Sequence, residues 1–250
     1  MSVSIKVCSF NLRVATPVDG ENEFCYRLPR ILPMLREEAP AIIGFQEATR
    51  GMRDELRAAL PEYTFLGCGR NPNYRGEAPI LAFRNDCFEL VSLETFWLSN
   101  EPSVPGSSYG GDQSKCPRVT FVARLKHRDS EAILRFYNTH FDHKGAEARL
   151  ASSRQVLAHI AQSDEPVILT GDLNATPATE EISLLRKSLT EATESLGGTF
   201  HGFGRRNPPT KIDYIFTDLP CEGAYLCPDE PVGGIYLSDH FPIVAYVTLP

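Results

Sequence analysis

Several apolar, strand-like runs in this chain finish in polar side chains that packing alone does not explain. Asn11 closes the first run, and Glu47 follows Ile42-Ile43-Gly44-Phe45-Gln46. His140, Asp142 and His143 follow Phe136-Tyr137-Asn138-Thr139; Asp172 and Asn174 follow Val167 to Gly171. Asp213 lies within Lys211 to Phe216, and Asp239 and His240 stand just before the last apolar run. Strand ends converge on one edge of a sheet, where loops and binding sites concentrate.

Carboxylates and amide oxygens without thiolates suit a hard cation, Mg²⁺ or Mn²⁺, rather than zinc. Such an ion polarises a phosphoryl oxygen, orients a water and steadies a leaving alkoxide. Histidines beside carboxylates then serve as hydrogen-bond donors or as acid and base. Taken singly, each residue has a plain alternative: Asp-x-Asn after a strand is commonly a helix-capping turn, and Asp-His commonly a surface ion pair. Asp213 is the hardest to explain in that way, because an unpaired carboxylate within an apolar strand costs several kcal/mol by order of magnitude. It needs a partner, and His240 is the natural one.

The elements that must carry these residues follow from periodicity. Ile5 to Leu12 reads as an opening strand, then Tyr26 to Glu38 as a helix with Pro29 in its first turn and Pro33 mid-segment, where proline favours a kink. Ala41 to Phe45 is a short buried strand and Gly51 to Leu60 a second helix. Strands are expected over 64–68, 80–84, 88–98, 118–126, 132–138, 167–170, 212–217 and 243–249, with helices over 145–163 and 180–189. Residues Ser99 to Pro117 form a long loop rich in Gly, Ser and Pro, which predicts a functional or mobile segment. The helices are too few for a barrel of eight units, and two sheets packed face to face with helices outside fit better.

Composition sets bounds. The chain of 250 residues is 42% hydrophobic and 23% charged, an ordinary balance for one globular domain spanning 1–250. No signal-peptide pattern opens it and no apolar run approaches the roughly 20 residues of a membrane span, so a cytoplasmic protein is expected. The seven cysteines are irregularly spaced and lack a CxxC pair; they read as mostly buried small hydrophobes. A net charge of −7 argues against tight non-specific duplex binding, which needs a basic face.

The segments CSFNLR, GFQEAT, YNTHFDHKG, LTGDLNATP, KIDYIF and LSDHFPI occur in this order from end to end. In them the chain resembles the endonuclease/exonuclease/phosphatase superfamily, which includes pancreatic deoxyribonuclease, inositol-polyphosphate 5-phosphatases and deadenylases. FWLSNEPSVPGS, CPRVTF, THFDHKGAEAR and TFHGF resemble a bacterial subgroup of metal-dependent hydrolases distantly similar to the deadenylase branch. The resemblance implies an α/β fold, a four-layer α/β/β/α sandwich of two mixed sheets flanked by helices, with the site at one end. It also implies roles: Glu47 as the principal metal ligand, with Asn11 and Asp239 completing or supporting the metal site. Asp172 would position or deprotonate water, Asn174 would bind phosphate, and Asp213 would pair with His240. His240 and His140 would face the phosphoryl oxygens.

Arg118, after the long loop, is a candidate phosphate clamp. His143, Arg149 and His201 are candidates either to face the substrate or to support the residues that do, Arg75 and Glu77 are weaker candidates, and His127 and His159 are read as surface residues. The function expected is metal-dependent phosphoester hydrolysis by water, with a phosphodiesterase favoured. A nuclease acting on short nucleic acid, a small-molecule phosphomonoesterase and a non-catalytic phosphate-binding module are the alternatives. A monomer is expected. A second basic group beside Arg118 would favour monoesters, which carry two negative charges on phosphorus where diesters carry one; Lys115, Lys144 and Arg205 are available for it.

Overall fold

The computed structural model describes residues 2–250. Strands β1 (Val3–Asn11), β2 (Ile42–Ala48), β3 (Tyr63–Leu66), β4 (Ala78–Arg84), β11 (Cys221–Leu226) and β12 (Ile243–Leu249) form one sheet, ordered β11-β12-β1-β2-β4-β3. The other contains β5 (Phe88–Trp97), β6 (Val119–His127), β7 (Ile133–His140), β8 (Val167–Asp172), β9 (Thr190–Glu191) and β10 (Asp213–Thr217), ordered β5-β6-β7-β8-β10-β9. In each sheet one central pair is parallel, β1 with β2 and β7 with β8. Both sheets are therefore mixed.

Alternation along the strands builds three cores. Ile5 and Val7 face Phe121, Phe136 and Ile168 between the sheets. Cys8 and Phe10, on the other side of β1, pack with Ile31 and Leu35 of α1 (Phe24–Glu38) and Leu56 of α2 (Arg50–Ala59). Tyr137 and Leu169 pack outward with Val156 of α3 (Ala146–Ile160) and Ile182 of α4 (Glu180–Arg186). The result is the four-layer α/β/β/α sandwich. Among the described residues, no helix is long and apolar enough to cross a membrane.

The space between the sheets also holds a polar joint. The Asn138 amide donates to the Phe45 and Ile80 carbonyls at 2.8 and 2.9 Å and accepts from Gln46 and Thr170 at 2.8 and 3.0 Å. Gly44 leaves room for it: a Cβ there would lie 2.0 Å from Thr170 Oγ1. A fully satisfied buried amide fixes how the sheets stack and hence how their ends meet.

Several local expectations are corrected. Helix α1 starts at Phe24 and continues through Pro29 and Pro33, both exposed, so the carbonyls those prolines cannot bond face water. Strand β2 extends past Phe45 to Ala48, and the short β9 and the half-exposed β11 lacked a pattern strong enough to read. Only Cys8 and Cys227 of the seven cysteines are buried. His127 is buried, with Nδ1 3.2 Å from the Ser130 N–H and its ring against Phe88. His159 is half-buried, stacked on Phe96 and 2.9 Å from the Tyr137 hydroxyl. Both histidines satisfy their polar atoms locally, which is what allows them inside.

Candidate active site

Register alone places three of the polar residues in a row. Across neighbouring strands His140 is opposite Asp172, and Asp172 is opposite Asp213. The other sheet brings Asn11 and Glu47 from the parallel ends of β1 and β2. Glu47 sits in a bulge between Phe45 and Ala48 with φ of 59°, a left-handed conformation that turns its carboxylate toward the groove. Its Oε2 accepts the Val14 N–H at 2.8 Å, and Oε1 accepts from Asn11 Nδ2 at 3.2 Å.

Asn11 is buried and bridges two carboxylates: Nδ2 also donates to Asp172 Oδ2 at 2.9 Å. Its Oδ1 accepts the Arg13 N–H at 2.9 Å, which fixes the amide orientation. Glu47 and Asp172 line the groove, and Asn11 lies behind them. Asp172 Oδ1 accepts the Asn174 N–H at 2.9 Å; Asn174 Nδ2 reaches the Phe141 carbonyl at 3.1 Å and His140 Nε2 at 3.0 Å.

Asp213 Oδ2 lies 2.8 Å from His240 Nδ1 and accepts the Thr199 hydroxyl at 2.5 Å. His240 Nε2 is 3.9 Å from both Asp172 Oδ2 and Asp239 Oδ1, beyond hydrogen-bond range. Burial by itself would lower the His240 pKa, but Asp213, with Asp172 and Asp239, overcomes this and raises it to about 10. His140 goes the other way: burial, then the nearby Arg118 and Arg70, hold it well below the ordinary value and therefore neutral. Burial and the Asp213 carboxylate raise Asp172 to about 7. Two histidines of opposite charge state thus flank one carboxylate.

Arg118 is buried, with Nη2 3.0 Å from His143 Nδ1 and Nε 3.7 Å from Asp142 Oδ2. Its Nε and Nη1 have no hydrogen-bond partner among the described residues. Asp142 holds this wall together by accepting from the Ser114, Lys144 and Gly145 amides at 3.1, 2.9 and 2.8 Å. Burial would raise its pKa, and these amides with the Ser114 hydroxyl bring it to about 2. The long loop before Arg118 contains no strand or helix, yet Asp112 anchors it by accepting the Glu147 and Ala148 amides at the start of α3.

Arg70, which no sequence pattern singles out, lines the same groove with Glu77, its ion-pair partner at 3.0 Å. The signal for it was weak: Arg70 and Glu77 close a loop between β3 and β4, with the Arg70 N–H on the Glu77 carbonyl. Arg75 is exposed, and Arg149 pairs with Glu181. His201 is buried between Tyr236 and Phe241 and does not line the groove. Glu47, Asp172, Asn174, Asp239, His240, His140, Arg118 and His143 all do, with Arg13 beside Asp239.

Oxygen and nitrogen donors of Glu47, His140 and Asp172 lie within 4.8 Å of one another. Asp172, Asp213 and Asp239 crowd negative charge around His240, and Asp213 Oδ1 is buried without a partner among the described residues. A hard divalent cation fits this oxygen-rich, anion-crowded cluster.

A sandwich with such a cluster at one end of both sheets is the layout of a hydrolase of phosphate esters. Residues 8–240 match the model of the Endonuclease/Exonuclease/phosphatase family. The structure of an endonuclease/exonuclease/phosphatase from Bacteroides vulgatus superposes with a TM-score of 0.93 at 31% identity, over 99% of this chain and 100% of that one. The mannosyl-6-phosphatase of Bacteroides thetaiotaomicron gives 0.88 at 29%, over 97% and 99%. The human Nocturnin catalytic domain gives 0.75 at 22%, over 100% and 97%, a likeness of fold. The chain belongs to the endonuclease/exonuclease/phosphatase family, divalent-metal-dependent hydrolases of phosphoester bonds.

Proposed function

We propose that this enzyme hydrolyses a phosphate monoester of a small molecule, a sugar phosphate in particular, with Mg²⁺ or Mn²⁺. The observation that carries the reading is the pair Arg70 and Arg118 on the groove wall beside His140. A monoester carries a second negative charge, and two guanidiniums beside the cation site match it where a diester needs fewer. This moves the reading from the diester that the sequence favoured to the monoester. The 29% identity to a mannosyl-6-phosphatase over nearly the whole chain supports it. The net charge of −7 weighs against a nucleic-acid polymer.

Glu47, with Asp239 and Asp172, would hold the cation, which when bound would supply polarisation of the phosphoryl oxygen and stabilisation of the leaving oxygen. Asp172 orients and deprotonates the attacking water. Because Nδ1 of His240 is committed to Asp213, its free Nε2–H donates to the charge developing on phosphorus. Asn174 and His140 hold the phosphoryl group from the other sheet.

The test is a substrate screen with Mn²⁺: mannose 6-phosphate and other sugar phosphates, a generic monoester, a generic diester, single-stranded RNA and plasmid DNA. Preference for monoesters by kcat/KM is expected. Faster turnover of the diester, or of either polymer, overturns the proposal.

A further inference from the structure

Arg27, on α1, has no exposed surface and, among the described residues, hydrogen-bonds no carboxylate, although Asp239 and Asp19 are near enough to attract its charge. Its guanidinium donates only to backbone carbonyls: Nε to Asn22 at 2.6 Å, Nη1 to Leu12 at 2.6 Å and Leu237 at 2.9 Å, and Nη2 to Arg13 at 2.9 Å. Burial penalises this cation more than the nearby Asp239 and Asp19 stabilise it, and a neutral side chain would fill the space more cheaply.

The carbonyls it takes belong to particular peptide groups. The Leu12–Arg13 peptide gives its oxygen to Arg27 and its N–H to Asn11 Oδ1, at 2.9 Å. The next peptide, Arg13–Val14, gives its oxygen to Arg27 and its N–H to Glu47 Oε2, at 2.8 Å. Hydrogen bonds in chains polarise one another, so the buried charge strengthens both N–H donors. The third carbonyl, Leu237, precedes Ser238, whose hydroxyl donates to the Asn11 carbonyl at 2.6 Å, and Asp239 follows. The clamp also holds Arg13 at φ of 53°, a conformation disfavoured for an arginine.

We infer that Arg27 is a positioning residue for the cation site, acting through the Leu12–Arg13 and Arg13–Val14 peptide groups to orient Asn11 and Glu47. This rests on the proposed assignment of the cation to Glu47 and its neighbours, and is independent of the ester hydrolysed.

Arg135 provides a matched control. It too is buried and donates to carbonyls, those of Ile160 and Ser163 at 2.7 Å, but at the end of β7 opposite His140. Mn²⁺ affinity is measured by electron paramagnetic resonance on metal-stripped wild type, Glu47→Gln, Arg27→Met, Arg27→Lys and Arg135→Met, with folding followed by circular dichroism. Glu47→Gln and Arg27→Met are each expected to weaken Mn²⁺ binding about tenfold or more, with Arg27→Lys in between. Arg135→Met should lower the melting temperature and leave affinity within about twofold of wild type.

Wild-type affinity in folded Arg27→Met overturns the inference, as do equal losses in Arg27→Met and Arg135→Met. If Arg27→Met does not fold, Arg27→Lys decides: weakened binding supports the role and unchanged binding overturns it. Unchanged binding in Glu47→Gln instead removes the cation-site assignment, and the inference with it.

Discussion

His240 Nδ1 lies 2.8 Å from Asp213 Oδ2 in a buried pair, while among the described residues its Nε2 has no partner within hydrogen-bond range. The pairing spans the sandwich: Asp213 opens β10 in one sheet, and His240 precedes β12 in the other. Asp213 raises the histidine's pKa and commits Nδ1, leaving one charged donor directed at the groove.

His240 should therefore be a cation at neutral pH. Nitrogen-resolved NMR of the imidazole should show the protonated form through about pH 8, and a neutral ring at about pH 7 would refute the assignment. The folded value, about 10, stands above the ordinary 6.5. The native state thus keeps a proton that the unfolded chain loses, so this stabilisation is complete below about 6.5 and fades as pH rises through about 10. The stability difference between wild type and His240→Gln, from urea unfolding, should shrink across that window.

Metal binding should release a proton. Without a cation, Asp172 titrates near 7 because of burial and Asp213, and a bound divalent charge favours its ionised form. Calorimetric Mn²⁺ titrations in buffers of different ionisation enthalpy should show release near pH 7 that diminishes about two units higher. Release independent of pH would count against Asp172 as the titrating group. Activity should vanish in chelator and return with Mg²⁺ or Mn²⁺.

Glu47→Ala, Asp172→Asn and His240→Ala should each reduce kcat by roughly 10³-fold or more with the fold retained, since each removes a charge or donor aimed at the reaction. Steady-state kinetics with melting curves as control would check this. Wild-type turnover in all three would dismiss the site.

Arg70→Met and Arg118→Met should lower kcat/KM for monoesters by about tenfold or more, and for a generic diester by less. Equal losses on both ester types would show that the arginines do not read the second charge.

Gly44→Ala should destabilise the protein by about 3 kcal/mol, because its Cβ would collide with Thr170 and Asn138 in the joint between the sheets. Urea unfolding measures it; a loss near zero would mean that the joint is pliable.

The order of the polar residues at strand ends was legible in the linear chain because each is anchored by a strong local pattern. Strand alternation around Val7, Phe136 and Leu169 fixes which residues face inward, and so where Asn11, His140 and Asp172 emerge. The pairing of Asp213 with His240 was readable too, since a carboxylate at that position demands a counter-charge. What tertiary structure alone decided is everything that depends on contacts between distant segments. Arg70 carried no periodic signal and is brought beside Arg118 only when the two sheets stack. Of the two places open to His201, in the groove or behind it, the structure takes the second, packing it between Tyr236 and Phe241 from far along the chain. The Asn11 amide orientation and the opposite charge states of His140 and His240 depend on burial and on which charges lie nearby. Those are properties of three-dimensional proximity, which no single residue or local pattern encodes.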